Sequence, residues 1–207
     1  MLELSRKATE LDDADATAHV ALGMALDLTG DRDGGGSELE RAVSLDPNHA
    51  WAIGVLGLWY GFYGRPWEGI DTLQRAMRGS PHDPLTWLWL TWLGLMYYFL
   101  EDYDAALRTA DKVIRLRLDH FQAYRTRAAA LGQLGRIEEA KDALNQAAQF
   151  IGFTAWVRTR HPGWRQKEYA HVLEGLRKAA SPSEVLLTHH VYCTTAALRS
   201  LSERSGN

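Results

Sequence analysis

The apolar positions of this chain recur at spacings of three and four, the mark of helices with one buried face. In residues 47–81, Ile53, Leu56 and Tyr60 share such a face, with Gly57 beside Leu56. A second helical run carries Gly69, Leu73 and Ala76 and stops at Pro81, because proline cannot continue a helix. Gly57 and Gly69 lack side chains, so the two helices are expected to approach closely there. The whole pattern then repeats. One period back, Ala76 falls on Ala42 and Pro81 on Pro47; two periods back they fall on Ala8 and Asp13. The preceding unit reads His19, Leu22-Gly23, Leu26, then Gly35, Leu39 and Ala42. Forward, a slightly longer step reaches Leu90, Leu93-Gly94, Tyr97, Ala106, Ala110 and Val113. The original step then reaches Tyr124, Arg127-Ala128, Leu131, Ala140, Leu144 and Ala147.

This periodicity predicts an all-α solenoid of antiparallel helix pairs, a quasi-linear stack in which each unit covers its neighbour. Residues 1–13 are expected to be the second helix of a truncated repeat, with Leu2, Leu4 and Leu11 facing a neighbour that is not encoded. That implies a fragment of a longer chain, against the plainer reading of an amphipathic capping helix. Residues 14–152 are expected to hold four units, 153–180 a capping segment and helix, and 181–207 a poorly ordered tail. Three local expectations follow. The glycine run at 34–36 should delay the second helix of the first unit until Ser37, which forms a capping box with Glu40. The uncharged run 84–100 should be a long first helix, buried on more than one face and lengthened by the extra residues of its unit. It is shorter than the roughly 20 apolar residues of a membrane span. Tyr169, Val172, Leu173 and Leu176 recur at helical spacing and should make the capping helix.

Aromatic residues concentrate in the middle of the chain. Trp51, Trp59, Trp67, Trp87, Trp89 and Trp92 crowd into one short stretch, more than helix packing alone can absorb. Trp51, Leu58, Phe62, Leu88, Leu95, Tyr98 and Phe99 lie on the side of the first helices away from the packing residues. They either cover one another across the curved stack or line an apolar groove for a partner helix, a peptide or a second subunit. In the fourth unit the same face carries Gln122, Arg125, Gly132 and Gln133, with Arg115, Arg117, Arg127 and Arg136 nearby. Arg125 joins the candidate groove. This mildly basic end beside the aromatic centre either receives an acidic-hydrophobic peptide or, on the plainer reading, forms a solvated face with Glu138, Glu139 and Asp142.

Net charge is −3 and 46% of residues are hydrophobic, so nothing global points to nucleic acid or a membrane surface. The single cysteine, Cys193, excludes an internal disulfide framework and fits a reducing cytoplasm. Asp27, Asp31, Asp33 and Glu38 lack the turn glycine and the spacing of a calcium loop. His189, His190 and Cys193 lack a fourth ligand. His49, His82 and His120 recur at equivalent turns and are read as turn residues. No phosphate loop, paired-histidine zinc signature or nucleophile elbow is present. No catalytic residue, cofactor or metal is therefore expected.

The motif running from Ile53 to Pro81 resembles the tetratricopeptide repeat (TPR), whose fold and partner-binding role this implies. A narrower resemblance lies in residues 153–179, through Phe153, Arg158, Pro162 and the helix closing Gly175-Leu176-Arg177-Lys178-Ala179. It is similar to the end of the TPR region of bacterial class III adenylate/guanylate cyclases, and to the TPR ends of some winged-helix transcriptional regulators. The resemblance implies a regulatory module at the C-terminal end of a cyclase-type signalling protein, not catalytic by itself, that binds a protein or a second copy. A free-standing adaptor is the other binding reading. It would not clamp a C-terminal carboxylate, since Val20, Met24, Gly54 and Leu58 stand where such a clamp needs Lys and Asn.

Overall fold

Helix ends in this chain are set by local chemistry at matching places in each unit. In the computed structural model, which describes residues 1–150, 152–153 and 166–179, Asp15 accepts a hydrogen bond from the Thr17 amide, Asp31 from Gly34 and Asp102 from Ala105. These caps satisfy amides that a helix start leaves unpaired. His49 does the same through Nδ1 for Ala52, at 3.2 Å. Pro66 opens its helix at the first turn, where no amide donor is needed.

The resulting elements are α1 (Leu2–Leu11), α2 (Ala16–Thr29), α3 (Arg32–Leu45), α4 (Ala50–Phe62), α5 (Pro66–Gly79), α6 (Thr86–Phe99), α7 (Tyr103–Leu116), α8 (Phe121–Gln133), α9 (Ile137–Ala148) and α10 (Gln166–Ala179). The described residues are all-helical, and α2 to α9 pack as successive antiparallel pairs in a solenoid. Within each pair the turn passes through left-handed backbone at one repeat position: Gly30 (φ 97°), Gly64 (φ 83°), Glu101 (φ 62°) and Gly135 (φ 73°). The third unit is the exception, placing a side chain where its neighbours have none.

Leu39, Leu73, Val113 and Ala147 are closed to solvent at successive units, and a buried leucine contributes about 2 kcal/mol. Gly57 crosses Gly69 as expected: a Cβ on Gly69 would lie 2.7 Å from the Gly57 carbonyl oxygen. Gly23 and Gly35 repeat that crossing one unit earlier.

Two expectations are corrected. Helix α3 begins at Arg32, not at Ser37, and carries all three glycines in its first turns; the Ser37 hydroxyl donates to the Asp33 carbonyl inside the helix. Propensity loses because space decides: Gly35 lies against Gly23, and the Trp59 indole fills the place of a side chain on Gly36. Helix α6 is no longer than α2. The extra residues of that unit lie in the 80–85 connection, where the Leu85 amide donates to the Asp83 carboxylate and the Thr86 hydroxyl to the Asp83 carbonyl. No helix among the described residues is long and apolar enough to cross a membrane.

Helix α1 packs on α2 and buries Ser5, while Met1, Leu4 and Leu11 stay exposed. Helix α10 buries Tyr169, Val172, Leu173 and Leu176. The readings of Arg158, Pro162, His189, His190 and Cys193 fall outside the described residues.

Candidate partner-binding groove

The first helices of the units, α2, α4, α6 and α8, lie side by side and form one wall. Two rows of side chains run along it at the repeat spacing. One row is Met24, Leu58, Leu95 and Ala129; the other is Leu28, Phe62, Phe99 and Gln133. Met24 and Leu28 are 39% and 43% exposed, among the most open large apolar side chains of the solenoid face. Leu58, Phe62 and Phe99 are half-buried, as are Trp51 and Leu88. The Phe62 and Phe99 rings tilt against each other at 6.4 Å between centroids. Counting aromatic residues does not single out Leu28, which stands one repeat before Phe62.

Three of the expected groove residues are buried and line nothing. Leu95 is 4% exposed, Tyr98 0% and Arg125 2%. Tyr98 lies under α10, its ring 4.7 Å from that of His171, and other large side chains of α6 occupy the places of missing ones on α4. Trp89 stands over Gly54, and the Met96 thioether sits against Gly61. Trp51, Trp89 and Trp92 then form a mutual cluster, with Trp89 and Trp92 at 5.2 Å and Trp51 and Trp89 at 5.7 Å. Mutual cover thus accounts for part of the aromatic concentration; Phe62 and Phe99 lie on an apolar strip over α2, α4 and the end of α6, whereas Trp67 stands 70% exposed on α5, outside the wall.

The last stretch of the wall is taken by α10. A side chain on Gly132 would collide with the Gly175 carbonyl oxygen, and one on Gly175 would come within 2.6 Å of the Ala129 carbonyl oxygen. Ala129, Gly132 and Gln133 are the fourth-unit equivalents of Leu58, Gly61 and Phe62. Polar bonds hold this helix on them. The Tyr98 hydroxyl donates to the His171 carbonyl at 2.9 Å and the Gln133 amide donates to the Tyr98 oxygen at 3.3 Å. Tyr103 Oη and His171 Nε2 lie 3.0 Å apart, and Lys178 Nζ donates to Gln133 Oε1 at 2.6 Å. Burial holds the His171 imidazole below its ordinary pKa and the Tyr98 phenol above its own. The chain thereby seats one of its own amphipathic helices on its groove.

Charge is distributed unevenly along the stack. At the far end the arginines are paired: Arg117 with Asp119, Arg127 with Asp111 and Arg136 with Glu139. Arg117 also covers the Trp87 ring at 4.6 Å. The expected solvated face is thus built partly with other carboxylates than those named. His120, packed on Trp87 at 4.9 Å, is pushed down to about 4 by burial, aided by Arg125 and Arg117. No group of three or more His, Cys, Asp or Glu able to hold a metal occurs among the described residues.

Comparison with known proteins agrees with this architecture. The tetratricopeptide repeat model matches residues 16–49, 90–120 and 121–150, so these stretches are similar to TPR units. The match passes over 50–89, where Gly54 and Gly61 serve as sockets and the connection is extended. Superkiller protein 3 of Saccharomyces cerevisiae is 27% identical over 110 residues, and the chain spans 8% of that protein's length. Among solved structures, YrrB, described as a TPR protein with an unusual peptide-binding site, is 21% identical with a TM-score of 0.60. That match covers 93% of this chain and 99% of YrrB. PilF of Pseudomonas aeruginosa is 20% identical with a TM-score of 0.67, covering 97% and 86%. A structure of MamA is 25% identical with a TM-score of 0.60, covering 72% and 86%.

Proposed function

We propose that this chain is a protein-interaction module whose open groove receives an amphipathic helical segment of a partner protein. The observation that carries this reading is α10. An amphipathic helix already lies on the fourth-unit part of the wall, packed through Gly175 and fixed by Tyr98 and Lys178. The same two rows continue, apolar and wholly or partly open to solvent, through Met24, Leu28, Leu58, Phe62 and Phe99. A helix laid along them would bury side chains at its i, i+3, i+4 and i+7 positions, the helix-in-groove mode of recognition. The fold shared with YrrB, whose description includes a peptide-binding site, supports the assignment.

The setting we propose is the C-terminal regulatory part of a class III nucleotide-cyclase-type signalling protein acting in the cytoplasm. Its support is the sequence resemblance in residues 153–179. The module does its work by binding, and bias of an attached output domain follows if the partner prefers one of that domain's states.

The test uses the full chain and a Leu/Lys amphipathic helical peptide of five turns as probe. The wild type should bind it, and Phe62→Glu should weaken binding at least tenfold with unchanged helical circular dichroism. Equal binding by both proteins would overturn the groove assignment. Cyclic AMP formed from ATP and a divalent metal by the purified chain would overturn the non-catalytic reading.

A further inference from the structure

Residues 1–50 carry eleven Asp and Glu against four Lys and Arg, whereas the remaining residues carry nineteen Lys and Arg against fifteen Asp and Glu. This asymmetry lies along the stack, and its acidic end is the end at which the groove is open. Asp12, Asp15 and Asp46 edge the wall where α2 and α4 begin, and Asp27, Asp31 and Asp102 edge it where α2 and α6 end. Two nearby cations are engaged. Arg32 lies over the Tyr63 ring at 5.2 Å, and Arg65 covers Tyr60 at 4.2 Å while pairing with Glu68.

Resting on the reading just given, we propose that the occupant of the open half-groove is a basic amphipathic helix, with Leu-like residues on its seated face and Lys or Arg along both flanks. Met24, Leu28, Leu58, Phe62 and Phe99 supply the apolar floor, and the two acidic edges supply complementary charge. Charges at such an edge direct encounter and discriminate against wrong partners more than they add affinity, and salt screens them. A helix with acidic flanks would meet like charge on both sides. In the cis-bound α10 a basic side chain, Lys178, reaches the wall at Gln133 while also pairing with Glu174.

The experiment compares two five-turn helical peptides of identical apolar face, one with Lys flanks and one with Glu flanks, titrated into the full chain. The Lys peptide should bind at least tenfold tighter at low salt, with the gap closing as salt is raised. The triple variant Asp12→Asn, Asp15→Asn and Asp31→Asn removes three charges while keeping helix caps, because Asn caps about as well as Asp. It should reduce the preference several-fold. Tighter binding of the Glu peptide, or equal binding of both, overturns the charge inference and leaves the groove reading standing. Failure of both peptides to bind defeats the groove reading itself. Lys-peptide binding that survives in Phe62→Glu shows attraction to the acidic surface without seating, and overturns the proposal. Binding of a second copy of the chain that competes with the Lys peptide and loses strength in the triple variant supports the same surface.

Discussion

The six-membered ring of the Trp89 indole occupies the space where a side chain on Gly54 would stand. Trp89 is fully buried, and its ring cannot bend away as the end of a flexible chain can. Gly54→Ala should therefore destabilise the fold by about 1–2 kcal/mol, overpacking outweighing the gain of roughly 1 kcal/mol in helix propensity. Gly79→Ala, at a helical glycine with nothing within 4 Å, should instead stabilise by about 0.5 kcal/mol. Urea denaturation of the two variants checks both signs.

Glu101 takes the left-handed turn position that Gly30, Gly64 and Gly135 take in the other units. A side chain costs roughly 1–2 kcal/mol there, and glycine recovers part of it while losing more chain entropy. Glu101→Gly should raise stability by about 0.5–1 kcal/mol in thermal melts.

Seating of α10 depends on the absence of a side chain at Gly175. Gly175→Val would press on the Ala129 carbonyl and the Tyr98 hydroxyl, so α10 should leave the wall. Limited trypsin digestion should then cut at Lys167, Arg177 and Lys178 faster than in the wild type. Tyr98→Phe removes the bond to the His171 carbonyl and the one accepted from the Gln133 amide, and should cost about 1–2 kcal/mol.

His120 gives the stability a pH dependence of defined sign. Its folded value is lowered from 6.5 to about 4, with burial as the largest cause. Above 6.5 the imidazole is neutral in both states and contributes no slope. Between 6.5 and 4 the unfolded chain takes up a proton that the folded chain refuses, so stability falls with pH and levels off below 4. Solvent screening at this half-buried site reduces the effect to about 1–2 kcal/mol at pH 4. His120→Phe, which keeps a ring against Trp87, should flatten the slope by that amount in urea titrations at pH 7 and pH 4.

The repeat was legible because spacing alone reports it: Leu56-Gly57 and Leu93-Gly94 occupy one role in two units, and that role fixes which helix faces which. The glycines at 35 and 36 misled because their cost in a helix is local, whereas the reason for them is Gly23 and the Trp59 ring, contacts that no sequence window contains. The groove was legible as a face but not as a surface. Periodicity places Leu95, Tyr98 and Arg125 on the same side as Leu58 and Phe62, yet it says nothing of what lands on them. Helix α10, separated from α8 by the whole of α9 and a further segment, covers the fourth unit. Sockets on α4 draw the Trp89 ring and the Met96 thioether inward. What remained open was set by these long-range contacts.

The central claim is that the open apolar rows bind a helix, and calorimetric titration of the full chain with the Leu/Lys amphipathic peptide tests it most directly. The account predicts saturable one-to-one binding that Phe62→Glu weakens at least tenfold without loss of helical signal. No heat of binding to the wild type, or the same affinity in the variant, would contradict it.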